Sequence, residues 1–285
     1  MTRSEYNALP AEAVGTGSPI RLEVCETEVD LYWKMAVEVL EVIAENNRKG
    51  EDTLMVVPYG PLGPYARLVY LVNRYRVSLR RCTFMNMDEY LTDDGQYIPL
   101  SDPLSFRGGM DRTFYGQVDD ELNVLPENRY FPDPADPGKL QRLIDRFGKL
   151  DMAWGGIGIN GHFAFNEPPE PGEACTNEEF LQRGTRVLRI SRETKTINCF
   201  MNCGGDLDGI PSNCITVGIK EMFQARKVRM CMPRDWNAGA LRKVLHGPVD
   251  CHVPCSLFQT HPDARLLAAR VALASPVPAI RIYNK

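Results

Sequence analysis

Two short segments hold the residue types that acid–base chemistry needs. The first is Asn86-Met87-Asp88-Glu89-Tyr90, which closes an apolar run. Adjacent carboxylates at the end of a strand can occupy a half-buried crevice, where desolvation raises a carboxyl group toward the range of a useful base. The same pair would also suit a helix N-terminus, where acidic side chains meet the positive end of the dipole. The second segment is Gly155–Pro168, GGIGINGHFAFNEP, again after a strand-like run. Its glycines, Gly155, Gly156 and Gly158 followed by Gly161, let the backbone turn tightly and approach a ligand. Asn160 and Glu167 bracket His162. Histidine titrates near neutrality, and a carboxylate partner fixes its tautomer. Glycines in this pattern also suit dinucleotide sites, but no acidic ribose partner follows at the right place, so a nicotinamide cofactor is not expected.

The elements that must position these residues alternate. Arg21–Cys25 reads as a strand and Glu28 to Asn47 as a long amphipathic helix ended by Lys49-Gly50. Thr53–Val57 is a second apolar run, leading through Pro58-Tyr59-Gly60-Pro61 into a helix to about Tyr75. Cys82–Met87 is a third strand ending on Asp88. Leu140–Leu150 reads as helix and Met152–Ile157 as a buried strand. Val187–Ile190 is a short strand, and Lys227–Met232 is a strand that leads into the helix Asn237–Leu245. Such alternation predicts an α/β fold of one domain over residues 20–285, Rossmann-like, with a mostly parallel sheet and helices on both faces. Residues 1–19, rich in Ala, Gly, Pro and Ser, read as an extended arm. Ligands in such folds bind beyond the carboxyl ends of strands, where both segments fall.

Composition narrows the function. The chain has 285 residues, 44% hydrophobic and 25% charged, with a net charge of −4. Nucleic-acid binding needs a basic stripe, which this balance lacks. No signal-peptide core and no membrane-length apolar run is present, so a cytoplasmic protein is expected. Its nine cysteines then read as reduced thiols. Cys251 and Cys255, near His246, His252 and His261, invite a zinc reading, but no second ligand pair has metal-site spacing. Scattered thiols are the better account, and no metal is expected.

The segments TFMNMDEYL and GGIGINGHFAFNEP together resemble the glucosamine-6-phosphate deaminase (isomerase) family, relatives of the 6-phosphogluconolactonases. ITVGIKEMF at Ile215–Phe223, VRMCMPRDWNAGALRKVLHG at Val228–Gly247 and FQTHPDA at Phe258–Ala264 extend the resemblance from about residue 20 to about residue 270. It implies a small-molecule sugar substrate and no cofactor. By resemblance, His162 opens the pyranose ring, Glu167 and Asn160 orient and tune it, and Asp88 carries the C2 proton to C1. Glu89 assists the proton movements. The product enolamine becomes an imine that hydrolyses to a ketose and ammonia. Asn160 stands where the family has Asp or Asn. Members assemble as monomers, dimers or hexamers, which leaves a homo-oligomer open.

Three phosphate-binding elements of the family look altered. A Ser/Thr-Gly-Gly-Thr/Ser-Pro loop is replaced by Tyr59-Gly60-Pro61-Leu62-Gly63-Pro64, where both hydroxyls are gone and each proline deletes an N–H donor. An Arg of the lid segment falls at Phe200 or Met201, and a Lys that opens a helix falls at Asn237. The expectation is a substrate without a 6-phosphate, or with a different group there, against a wall of Tyr59, Leu62 and Phe200. The opposing expectation is that Arg107, Arg192, Lys195 and Arg234 take over the phosphate. An isomerase or lyase that uses the same enolisation is the alternative enzyme. A sugar-sensing module would need a DNA-binding segment, which residues 1–20 are too short to supply.

Overall fold

Continuous apolar runs such as Thr53–Val57 can be satisfied only by a strand covered on both faces, the situation of an interior parallel strand. A computed structural model of the chain, describing residues 1–283, shows that arrangement. The strands are β1 Arg21–Cys25, β2 Thr53–Val57, β3 Cys82–Asn86, β4 Asp88–Leu91, β5 Arg129–Tyr130, β6 Leu150–Gly156, β7 Arg186–Arg189, β8 Asn213–Thr216, β9 Ala225–Met232 and β10 Ala264–Ala269. Seven of them form one sheet in the order β1-β10-β9-β6-β2-β3-β5, and every pairing in it is parallel.

Alternation along each strand feeds two apolar clusters. Leu54, Val56 and Met85 belong to one, and Met55, Val57 and Phe84 to the other. Helix Glu28–Lys49 covers the second. Thr27 and Asp30 form a capping box at its start, Leu31, Met35, Val39 and Val42 repeat on its buried face, and Gly50 at φ 71° ends it. From β2 the chain steps outward to β3 and β5, whereas from β6 it steps the other way to β9 and β10. The crevice at a topological switch point of this kind lies at the carboxyl ends of β2 and β6.

Most expected elements are present within two or three residues of their expected bounds. Three readings need correction. Asp88 does not end β3, nor does it start a helix. The chain breaks at Met87 and Asp88 begins β4, which pairs antiparallel with β8, itself antiparallel to β7. Residues 1–19 are not an extended arm. They carry a helix at Arg3–Ala8 with buried Tyr6 and Val14, and Arg242 donates to Leu9 O while Gly15 N donates to His246 Nε2. Strand β10 was not anticipated. Among the described residues, no helix is long and apolar enough to cross a membrane.

One buried charge sets the register next to the site. Arg229 in β9 stands opposite Trp154 in β6 and is 2% exposed. Its Nε donates to Glu38 at 2.7 Å, and its other nitrogens reach Asp263. Removing a partner from a buried ion pair leaves an uncompensated charge. Arg229→Ala is therefore expected to lower stability by about 3–5 kcal/mol, read as a lower urea midpoint with an unchanged slope. A loss below about 1 kcal/mol would show that water replaces the guanidinium.

Candidate active site

Successive side chains of a strand point to opposite faces, and β4 begins with two carboxylates. Glu89 is fully buried. Its oxygens accept from the Tyr90, Phe106 and Arg107 amides, each at 2.9 Å, from Ser105 Oγ at 2.9 Å and from Arg107 Nε at 3.2 Å. Every lone pair is occupied, so Glu89 holds the start of the short helix Phe106–Met110 in place. These bonds give Glu89 a positioning duty beside the role in moving protons that the resemblance implies.

Asp88 on the other face is 8% exposed and has no side-chain hydrogen-bond partner among the described residues. Burial, and secondarily the neighbouring Glu89 charge, push its carboxyl up to about 8. Backbone bonds fix its position, with Met87 N donating to Val57 O at 2.9 Å and Val217 N to Met87 O at 2.8 Å.

Beyond β6 the chain makes a tight hairpin. Ile157 and Phe163 form an antiparallel bridge, Gly158 N donates to His162 O, and Gly161 N donates to Gly158 O. Gly161 has φ 87° and Ala164 φ 56°, the latter an uncommon conformation for a residue with a side chain. The turn projects Asn160 and His162 together. Three oxygens surround His162 Nδ1: Asn160 Oδ1 at 2.8 Å, Thr194 Oγ1 at 3.2 Å and Glu167 Oε2 at 3.3 Å. With acceptors on every side, Nδ1 carries the proton and Nε2 is the nitrogen left for a ligand. Gly158 gives that nitrogen its room, since a Cβ there would lie 2.1 Å from Nε2.

Asn160 is the hinge of this network. Its Oδ1 also accepts from the His162 amide at 3.2 Å, and its Nδ2 donates to Glu167 at 2.7 Å and to Ser191 Oγ at 3.3 Å. Burial alone would raise Glu167. The adjacent His162, with hydrogen bonds from His162, Asn160 and Thr194, outweighs it and holds the carboxylate down at about 2. Glu167 Oε1 further accepts from Ser191 N at 3.3 Å. Thr194 and Ser191 were missed by sequence reasoning; their signal is the Ser191-x-x-Thr194 cap that opens helix Arg192–Asn202. Asn166 was missed too. Wholly buried, it donates to Phe163 O and Val217 O and accepts from Ile219 N and Arg186, clamping the hairpin to β8.

The two halves meet through β8. Asp88 stands opposite Thr216, whose Oγ1 accepts from Phe165 N at 3.0 Å. Buried Cys214 feels both the Asp88 and the Glu167 charges. Aromatic rings line the space between, with Tyr59 stacked on Phe106 at 5.0 Å, Phe106 on Phe165 at 6.1 Å, and His162 6.2 Å from Phe165. Gly109 admits Tyr59, whose ring would meet a Cβ at 2.2 Å.

The remaining expected contacts divide. Gly60, Leu62 and Gly156 lie at the carboxyl ends of β2 and β6, where a Cβ on Gly156 would lie 3.9 Å from Gly60 O, and Leu62 is 42% exposed. Phe200 is 71% exposed on helix Arg192–Asn202. Arg107 and Arg234, expected as substrate contacts, have other partners. Arg107 serves Glu89 and Ile98 O and lies 3.9 Å over the Tyr97 ring, whereas Arg234 pairs with Glu28 at 2.8 Å. Asn237 is buried between Arg234 N and Ile157 O. A surface depression of about 570 Å³, lined by Gln141, Leu181, Lys220 and Phe223 among others, contains none of these residues.

This geometry has close relatives. A glucosamine-6-phosphate deaminase of Bacillus velezensis is 27% identical over 240 residues, covering 83% of this chain and 93% of the relative. One from Halalkalibacterium halodurans is 30% identical over 209 residues, 71% and 78% respectively. The solved structure of a monomeric glucosamine-6-phosphate deaminase superposes with a TM-score of 0.76 at 25% identity, covering 89% of this chain and 98% of its own. No family model matches the chain. Shared fold, matched length and 30% identity nevertheless agree, and the chain belongs to the glucosamine-6-phosphate deaminase family.

Proposed function

We propose that this protein is an aldose–ketose isomerising deaminase of an amino sugar, with Asp88 as the base at C2. The observation that carries the reading is the buried Asp88 carboxyl, without a side-chain partner among the described residues and raised to about 8, joined through Thr216 and Phe165 to the hairpin of a histidine whose Nδ1 is held and whose Nε2 is clear. His162 passes a proton between the ring oxygen and the anomeric hydroxyl. Asn160, Glu167 and Thr194 keep its tautomer and orientation. In the open chain, Asp88 takes the C2 proton and returns it at C1, and the resulting imine is hydrolysed to ketose and ammonia.

The reading extends to a substrate that lacks a 6-phosphate or carries another group at that end. Pro61 and Pro64 offer no N–H. Asn237 is committed to backbone. Arg107, Arg234 and Lys195, the cations that would take over, are paired with Glu89, Glu28 and Ser212. Arg192, exposed at the head of its helix, is the one of that set with no side-chain partner among the described residues. Tyr59 supplies an aromatic face in place of the lost hydroxyls.

Ammonia release tests both levels. Glucosamine, galactosamine and mannosamine, each with and without a 6-phosphate, are the substrates, and Asp88→Asn is expected to lose about 10²–10⁴-fold in kcat. Turnover confined to unphosphorylated sugars supports the altered pocket; preference for glucosamine 6-phosphate overturns that part and keeps the deaminase. No ammonia from any of them would transfer the reading to isomerase or lyase chemistry on a different sugar.

Asp88 must be ionised to accept a proton, so kcat/KM is expected to rise with pH through about 8. Stability runs the opposite way. The folded state holds this proton above the unfolded carboxyl range, so stability falls as pH climbs from about 4 to 8. Asp88→Asn should melt several degrees above wild type near pH 8, with the gap closing toward pH 4. An equal gap at both ends would mean that Asp88 is not held protonated.

Glu89→Gln separates the two carboxylates. It removes acceptor capacity from a saturated site and is expected to cost about 1–3 kcal/mol of stability. Losing the Glu89 charge, one of the two causes that raise Asp88, should move the acid limb of the rate profile to lower pH while kcat on the plateau is largely kept. A plateau kcat lower by about 10²-fold at unchanged stability would restore Glu89 to the proton pathway.

A further inference from the structure

The cysteine pairs that stand out in sequence are not the pair that meets in space. Cys199 Sγ donates to Thr196 O and Cys203 Sγ to Gly209 O, while Cys255 is fully buried. Cys251 instead lies against Cys175, a residue 76 positions away, with its Sγ donating to Cys175 O at 3.3 Å. The two segments are held in register by Asn177, whose Nδ2 donates to Val249 O and whose Oδ1 accepts from Cys251 N. The two thiols differ. Cys175 is half-buried in an otherwise exposed segment, with Arg183 Nη2 3.3 Å from its sulfur. The same guanidinium also donates to Glu173, and it is partial exposure that opens Cys175 to an oxidant. Cys251 is buried, and desolvation followed by the Cys175 charge pushes its thiol up to about 11, so it stays protonated. Its other neighbour, Asp250, is committed to His252, accepting from both its amide and Nδ1.

The geometry points to Cys175 and Cys251 as a peroxide-responsive pair: Cys175 is oxidised first and Cys251 resolves it as a reversible disulfide. In the first step the Cys175 thiolate attacks a peroxide oxygen. The O–O bond breaks, Cys175 becomes a sulfenic acid and hydroxide leaves. In the second the Cys251 sulfur attacks the sulfenic sulfur, the S–O bond breaks, and the departing hydroxide takes the Cys251 proton as water. Two thiols are oxidised and one peroxide is reduced. The bond would fasten a support of the catalytic hairpin, because Cys255 N donates to Gly161 O at 2.8 Å and Val253 packs on Gly161, one residue before His162. This modification site does not depend on which sugar the enzyme takes.

Peptide mapping of the full chain after brief exposure to hydrogen peroxide tests it. The expected product has lost two hydrogens, links Cys175 to Cys251 and reverts with dithiothreitol. Cys251→Ser should instead trap a dione adduct of the sulfenic acid at Cys175. The proposal fails if both thiols remain alkylatable while Cys203 oxidises, or if Cys251→Ser yields no adduct at Cys175.

Discussion

Strand alternation places two neighbouring carboxylates, Asp88 and Glu89, in unlike surroundings, and the site is built around that difference. Both are withdrawn from water, which is costly for a carboxylate unless donors replace its hydration. Five donors around Glu89 do so, and they fix Ser105 and the start of the helix after it. Asp88 receives none among the described residues, so the cost appears as an altered protonation equilibrium. The small antiparallel sheet serves this arrangement. It buries the pair, carries Thr216 opposite Asp88 and supports Phe165 in the second half of the site.

At His162 the chemistry is steadied by an amide. A carboxylate at the Asn160 position would put like charges at hydrogen-bonding distance, since Asn160 Nδ2 is 2.7 Å from Glu167. The amide presents an acceptor to His162 and a donor to Glu167, so a single charge serves the network. The ring is held by three oxygens, only one of which is ionic, and Glu167 remains ionised across the working range.

Much of this was legible in sequence because interior parallel strands are continuous apolar runs and their carboxyl ends carry the loops that matter. Thr53–Val57 and the GGIGINGHFAFNEP hairpin were readable for that reason. Strand β4 was not, because Asp-Glu-Tyr-Leu has the composition of a loop and becomes a strand only through β8, more than a hundred residues later. The Arg3–Ala8 helix is too short to show a period. Arg107 and Arg234 looked free because their partners, Ile98 O and Glu28, are brought together by tertiary contacts alone. The family resemblance named Asp88, His162 and Glu167, yet the different duties of Asp88 and Glu89 depend on which face each side chain takes.

Ser191 and Thr194 cap helix Arg192–Asn202 and also bind the ring network, Thr194 through His162 Nδ1 and Ser191 through Asn160 and Glu167. The start of that helix and the seating of the histidine therefore share the same two hydroxyls. A displacement of the helix's first turn would pull on the imidazole, so the ring is fully seated only when the helix is home. Under the proposed mechanism, the placement of a helix and the transfer of a proton are mechanically joined.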